Sequence, residues 1–214
     1  MQVDIKVVQL LSSRLCHDLI GPTGAIHNGM ELYEEMGGDG GGDALKMVSL
    51  SVAQLSARLG FFRMAFGLGG LSGRQSAISE ARQLAAGFLE GGRIKLDWPL
   101  DGEAEPSIPV IKMLLNVILV AVDALPRGGT LSVSLTDRGG AAIGVSVKAV
   151  GEGARLKEDL RRALFPVGAV GGEPDLNAHN IHGFFCHQLV HGLAAELDVS
   201  ETENEVLFVV LVQG

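Results

Sequence analysis

Two runs of apolar residues with the period of an α-helix, separated by glycines, occupy residues 1–70. In the first run the apolar or small positions are Leu15, Leu19, Pro22, Ile26, Gly29 and Tyr33. In the second run the spacing alternates between three and four, through Leu45, Val48, Val52, Leu55, Leu59, Phe62 and Phe66. The intervening GGDGGGD disfavours a helix, because glycine loses much conformational freedom there. The pattern predicts an antiparallel helical hairpin, with Asp43 as the N-cap of the second helix and Gly67 as its stop.

A two-helix hairpin cannot bury two apolar seams completely by itself. One solution is a homodimer in which two hairpins form a four-helix bundle. Its contacts would come from Leu15, Leu19, Ile26, Leu55, Leu59 and Phe62. The alternative is that the hairpin packs on the rest of its own chain. The periodicity favours the dimer.

A different pattern begins after residue 75 and predicts a second domain over residues 76–214. Helical periodicity covers residues 79–90, 107–125, 156–165 and 177–195. Strand patterns cover residues 93–98, 130–137, 142–150, 196–201 and 205–212, with a hairpin turn at residues 138–140. This order predicts an α/β sandwich with a mixed, mainly antiparallel sheet, and hence an α+β chain overall.

Composition excludes several classes of protein. Of 214 residues, 47% are hydrophobic and 20% are charged, which is enough apolar material for a core. The net charge of −8, without a run of Lys or Arg, argues against binding of nucleic acid. The most apolar run is interrupted by Lys112, Asn116 and Asp123, which argues against a membrane span. No signal peptide is read at the MQVDIKVV start, so we expect a cytoplasmic protein.

One histidine faces away from the apolar seam of the first helix. His17 lies ~200° around the helix from Leu15, and Asp18 follows it directly. An exposed neutral imidazole is a possible nucleophile, and a carboxylate can hold its other ring nitrogen in one tautomer. Pro22, inside the helix, should bend it and free a carbonyl one turn earlier. Periodicity alone also fits a solvated surface pair.

The segment CHDLIGPTGAI resembles the phospho-acceptor box of the dimerisation domain of two-component histidine kinases. The box has the form H-D/E-L/I-x-x-P-x-x-x-I, and the matching positions are His17, Asp18, Leu19, Pro22 and Ile26. The helical hairpin is also the shape of that domain. The resemblance implies that His17 accepts a phosphoryl group, with Asp18 as its partner in the chemistry.

The second half resembles the ATP-binding domain of the same kinases, a Bergerat-type α/β sandwich, in a degenerate form. The stretch LLNVILVAVDALPRGG keeps the first asparagine of the kinase motif as Asn116, but Val120 replaces the second, which ligates Mg²⁺ in kinases. In VSVKAVGEG, Ala149 replaces the aspartate that reads adenine. At the phosphate-binding turn the chain has IHGF, residues 181–184, in place of a glycine-rich grip. The resemblance implies a hydrophobic scaffold that binds no cofactor.

A kinase-type hairpin joined to a degenerate nucleotide domain resembles the alphaproteobacterial histidine phosphotransferases of the ChpT type, over essentially the whole chain. The resemblance implies a phosphotransfer protein and not an autokinase. His17 would take the phosphoryl group from the receiver domain of a hybrid histidine kinase and pass it to an aspartate of a response regulator, without ATP. The receiver would supply the Mg²⁺.

A docking face for the receiver is expected around His17 on the first helix. The helical wheel places these residues there, with Arg14 one turn before His17: Ser13, Ile20, Gly21, Gly24 and Asn28. Ile20 is an apolar anchor, and the two glycines leave the backbone open to close approach. Arg14 is a further candidate for neutralising phosphoryl charge.

Besides an active kinase that uses ATP unconventionally, which the losses at Val120 and Ala149 disfavour, two other interpretations compete with phosphotransfer. The first is a dimeric adaptor that docks response regulators while His17 stays idle. The second is a metal site formed by His179, His182, His187 and His191. The last pair has helical i, i+4 spacing, but no HExxH motif or carboxylate base lies within the cluster, so incidental histidines are favoured.

Overall fold

A computed structural model describes residues 4–37, 41–67, 76–99, 105–137, 142–166 and 174–213. The chain begins with two long helices, α1 (Ile5–Glu35) and α2 (Gly42–Phe66). They run antiparallel, since Tyr33 lies against Gly41 while Asp18 contacts Arg58. The predicted hairpin is therefore confirmed.

The sequence prediction for α2 is right at the C-terminus of the helix and wrong at its N-terminus. Gly67 ends the helix, and its N–H donates to the carbonyl of Arg63 at 3.0 Å. The prediction of Asp43 as N-cap is wrong, because Gly41 occupies that position and no side chain caps the helix. Asp43 lies in the first turn instead, where a carboxylate still interacts favourably with the helix dipole.

The predicted single seam of α2 divides between two faces of the helix. The face toward the rest of the chain includes the buried residues Ala44, Ser51 and Phe62. Phe62 packs within its own chain, its ring 5.7 Å from that of Phe88, so its predicted role in a dimer contact is wrong. The other face carries exposed apolar side chains spaced by seven residues, Leu45, Val52 and Leu59. A strict heptad reading does not distinguish these two faces.

The second domain combines four helices with five strands among the residues described. The helices are α3 (Ala77–Leu89), α4 (Ile108–Asp123), α5 (Glu158–Leu164) and α6 (Ile181–Gly192). The strands are β1 (Ile94–Asp97), β2 (Gly129–Asp137), β3 (Ala142–Val150), β4 (Glu196–Thr202) and β5 (Glu205–Gln213). The sheet order is β1-β2-β3-β5-β4, with β1 and β2 parallel and the other neighbours antiparallel. The mixed, mainly antiparallel sheet is confirmed; the predicted turn at 138–140 lies outside the described residues.

Helix α4 is the centre of the core and also ties the two domains together. Most of its side chains are fully buried, against α6, α3, α2 and the sheet. The Asn116 amide donates to the carbonyl of Ala65 at 2.9 Å, and Lys112 Nζ donates to the carbonyl of Gly67. These bonds satisfy carbonyls at the C-terminal end of α2, which have no partner within the helix. In the parts of the chain that the structure describes, no helix is long and apolar enough to cross a bilayer.

Candidate functional site

His17 lies on the surface of α1 with its ring oriented by Asp18. The side chain is 71% exposed, and its Nδ1 lies 3.1 Å from Asp18 Oδ1. Because a carboxylate only accepts hydrogen bonds, the Nδ1–H must be the donor. This tautomer leaves the lone pair of the ring on Nε2. The geometry therefore gives an accessible imidazole with Nε2 as its nucleophilic atom.

The turn that carries His17 is also tied to α2 through a consequence of Pro22. Proline has no N–H, so the carbonyl of Asp18, one turn earlier, lacks its helical partner. Arg58 Nη1 donates to that carbonyl at 2.9 Å. The Arg58 guanidinium also lies over the ring of Phe88, 5.7 Å from its centroid. The freed carbonyl predicted from the sequence thus accepts a hydrogen bond that links α1 to α2.

Arg14 links the His17 turn to the second domain. Its Nε donates to Asp18 Oδ2 at 2.9 Å, and its Nη atoms lie 3.2 and 3.4 Å from the two carboxylate oxygens of Asp123. Its Nη1 also reaches the carbonyl of His179 at 3.4 Å. Burial opposes the charge on Arg14, but Asp123 and Asp18 outweigh it and raise its pKa. Arg14, the candidate for neutralising phosphoryl charge, is thus half-buried and forms ion pairs with both Asp18 and Asp123.

Asp123, at the end of α4, is held between Arg14 and a buried histidine. His182 Nε2 lies 3.1 Å from Asp123 Oδ2. The ring nitrogens of His182 are not in hydrogen-bond geometry, so the two side chains are in close polar contact without a hydrogen bond. Burial alone would raise the pKa of Asp123, but His182 and Arg14 lower it from 3.8 to about 2. The ionised carboxylate is therefore part of the folded junction.

Replacing Asp123 by Asn should destabilise the protein in a pH-dependent way. The lowered pKa corresponds to about 2 kcal/mol of stability at pH 7. Because the folded pKa lies below the unfolded one, this contribution is present above pH ~4 and is lost as the pH falls toward 2. Urea unfolding of both proteins at pH 7, 4 and 3 measures the difference. The exposed Asp198→Asn is the control, and a wild-type advantage that stays constant with pH contradicts the assignment.

A cavity of about 420 Å³ opens beside this cluster, at the junction of the two domains. Arg14, Asp18 and Arg58 line it from the hairpin side. Arg93 and Asp123 line it from the second domain, together with the α3–β1 turn. Asp18, the partner of His17, therefore lines a cavity to which both the hairpin and the second domain contribute.

The predicted docking face is exposed along α1. Ile20 is 71% exposed, and Ser13 and Asn28 are exposed as well. A Cβ added at Gly21 or Gly24 would meet no atom within 4 Å. The packing of the chain itself therefore does not require glycine at either position. A partner that approached the helix backbone closely would require it.

The positions that correspond to the kinase nucleotide motifs take part in packing. The side chains of Val120 and Ala149 are fully buried in the core. A Cβ at Gly183 would lie 2.7 Å from Leu160 Cδ1, so α5 and α6 pack closely at the turn that would grip phosphates. Asn116, the one asparagine retained, is used to hold the end of α2.

The four histidines that form the alternative metal site, which the sequence disfavours, divide into two pairs. His179 and His182 belong to the junction near His17 and Asp123. His187 and His191 face each other on α6, with ring centroids 6.3 Å apart. Within the described ranges, no three His, Cys, Asp or Glu side chains are placed to share one metal ion.

Three site residues were not predicted as such: Arg58, Asp123 and His179. The sequence does give an indication for Arg58, because this charged residue falls on the apolar face of α2, where a charge needs a partner. It gives a similar indication for Asp123, which is a single carboxylate in the most apolar helix. For His179 the sequence suggests only a candidate metal ligand.

The site thus consists of a surface histidine and its carboxylate on a helical hairpin, backed by a mixed-sheet α/β domain. The family model described as the histidine phosphotransferase C-terminal domain matches residues 78–205. The protein phosphotransferase ChpT of Brucella abortus (strain 2308) is 33% identical over 199 residues, 93% of this chain and 92% of that one. A solved bacterial phosphotransferase superposes with a TM-score of 0.82 at 28% identity, over 98% of both chains. The chain belongs to the ChpT-type histidine phosphotransferases.

Proposed function

We propose that His17 relays a phosphoryl group between aspartates of receiver domains. The observation that carries this proposal is the exposed His17 imidazole, whose Nδ1–H is held by Asp18 at 3.1 Å. In the forward step the Nε2 lone pair forms a P–N bond while the P–O bond to the receiver aspartate breaks. The carboxylate leaves with the bonding electrons, and the Nδ1 proton remains with the His17–Asp18 pair. The reverse sequence loads the aspartate of a response regulator.

This transfer needs no ATP, because an acyl phosphate and a phosphoramidate are both energy-rich. What the step requires is in-line positioning of the two reacting atoms and neutralisation of phosphoryl charge. Asp18 fixes the ring, and we assign the Mg²⁺ to the acidic pocket of the receiver. The fully buried side chains at Val120 and Ala149 support a second domain that acts without nucleotide.

The function is tested by incubating the protein with phosphorylated receiver domains, from a hybrid kinase and from response regulators. Label should move onto this chain, be labile in acid and stable in alkali, and map to His17 by mass spectrometry. Addition of an unphosphorylated response regulator should then remove it. A complex that forms without transfer of label would favour the adaptor interpretation and contradict the relay.

Mg-ATP should not bind. A triphosphate at this domain would lack both the metal-ligating side chain and a backbone cradle, because Val120 and the packed turn at Gly183 take their places. Titration calorimetry at millimolar Mg-ATP should show no saturable heat. A binding isotherm, or autophosphorylation from ATP, would contradict the proposal.

Replacing Ile20 by Glu should slow transfer in both directions by roughly tenfold, about 1.4 kcal/mol of lost complex stabilisation. Ile20 adjoins His17 on the open face of α1, and a small transient interface often depends on one apolar anchor. Ile5→Glu is a matched control, because Ile5 is on the same helix and is 74% exposed against 71% for Ile20. Equal rates in the two variants would place the docking surface elsewhere.

We also propose that the protein is a homodimer through α1 and α2. The support is the apolar stripe of Leu45, Val52 and Leu59, which repeats every seven residues and is 44%, 45% and 49% exposed in the single chain. A four-helix bundle would cover such a stripe in each copy.

A further inference from the structure

A second histidine, supplied by the other domain, lies against the ring of His17. The ring centroids of His17 and His179 are 6.2 Å apart, and the ring planes meet at 80°. This is an edge-on arrangement, which is favourable for aromatic rings. His179 precedes α6 and is exposed, so the contact is at the open surface of the site.

The segment that carries His179 is fixed by hydrogen bonds. The His179 N–H donates to Asn177 Oδ1 at 2.8 Å, and its carbonyl accepts from Arg14 at 3.4 Å. The buried Asn180 accepts from the N–H of Asn177 at 2.9 Å and donates to the carbonyl of Asp175 at 3.0 Å. The backbone of His179 is therefore held on both sides, by its own segment and by α1.

The contact matters because His17 is otherwise weakly restrained. An exposed side chain samples several rotamers, and the bond to Asp18 fixes one ring nitrogen but not the whole side chain. Transfer between receiver and imidazole requires the nitrogen to be in line with the bond that breaks. A second ring at the edge of His17 restricts the orientations that the imidazole can adopt.

We infer that His179 is a positioning residue for His17, so that the degenerate domain completes the phosphotransfer site. This inference rests on the proposed function of His17 as acceptor. The ring of His179, and not its ability to carry a proton, is the part that acts. His179→Phe should therefore keep the activity that His179→Ala loses.

The test uses the full-length protein and two phosphodonors, a phosphorylated receiver domain and the small molecule phosphoramidate. His179→Ala should lower the maximal rate of His17 phosphorylation by about fivefold with either donor. The receiver concentration at half-maximal rate should stay unchanged, and His179→Phe should keep at least half of the wild-type rate. Nuclear Overhauser contacts between the rings of residues 17 and 179 should be present in wild type and in His179→Phe.

The controls separate this inference from the proposed function. His191→Ala removes another exposed histidine from the same domain and should change nothing. His179→Gln is a second variant without a ring, in case the alanine variant folds poorly; circular dichroism melts check both.

If wild type labels at His17 but His179→Ala is equally fast, the inference is overturned while the proposed function stands. A change only in half-maximal receiver concentration, or a phenylalanine variant as slow as alanine, overturns it too. Failure of wild type to label at His17 overturns the proposed function itself.

Discussion

His17→Ala is expected to accept no phosphoryl group from any phosphorylated receiver, a loss of at least about 10³-fold in transfer rate. The P–N bond can form only at the ring, and alanine removes both ring nitrogens. Asp18 remains in the variant, still bonded to Arg14 at 2.9 Å, but it has no imidazole to orient. The measurement is transfer of labelled phosphate in both directions, on purified protein.

The chain provides a matched control for this variant in His27. It lies on the same helix, is 73% exposed against 71% for His17, and has Glu31 at 3.3 Å from its Nε2. His27→Ala should keep the wild-type rate, although it too removes an exposed histidine paired with a carboxylate. Neither substitution should alter stability by more than ~0.5 kcal/mol, because both side chains are on the surface. Label on His17→Ala, or its loss in His27→Ala, would contradict the assignment of the acceptor.

The part of the site that lies within one helix could be predicted from the sequence. An α-helix has a fixed rotation per residue. The exposure of His17 and the face of α1 on which Ile20 lies therefore follow from the spacing of the apolar residues. Asp18 is close to His17 because the two residues are adjacent in the chain. The carbonyl of Asp18 is free because Pro22 has no N–H to donate to it. Each of these properties is local, and tertiary packing did not override them.

The contacts between distant segments could not be predicted in this way. Arg58 reaches the carbonyl of Asp18 across a separation of 40 residues. Arg14 reaches Asp123 across 109 residues and the carbonyl of His179 across 165. No periodicity contains such pairings, because they depend on how α4 and the start of α6 are seated against α1. For the same reason the ion pair of Arg14 with Asp123 has no signal in the sequence.

The apolar seam of α2 shows a different limit of what residue spacing can predict. A spacing of three and four residues identifies an apolar side of a helix, but a long helix can have two such sides, one for its own chain and one for another. Ala44 and Ser51, which are buried within the single chain, are small or polar and fall outside the predicted seam. The larger side chains that were counted, Leu45 and Val52, are on the open side.

Leu59→Asp is expected to convert the proposed dimer into a monomer that stays folded. In the single chain Leu59 is 49% exposed, so an aspartate there can remain hydrated without disturbing the hairpin. In the proposed bundle the same position is covered by the second copy, and an unpaired carboxylate would lose its water. Phe62→Asp would not make this distinction, because Phe62 is buried in its own chain and its replacement would unfold the protein.

The size of the effect follows from symmetry. A two-fold dimer contains the substitution twice, and a few kcal/mol for each buried carboxylate raises the dissociation constant by at least about 10³. Light scattering coupled to gel filtration, at several micromolar concentrations, should give a dimer mass for wild type and a monomer mass for Leu59→Asp. Val209→Asp, on the exposed side of β5, is the control and should stay dimeric. A monomeric wild type would refute the dimer, whereas a dimeric Leu59→Asp would show that the stripe of Leu45, Val52 and Leu59 is not the surface that joins the two copies.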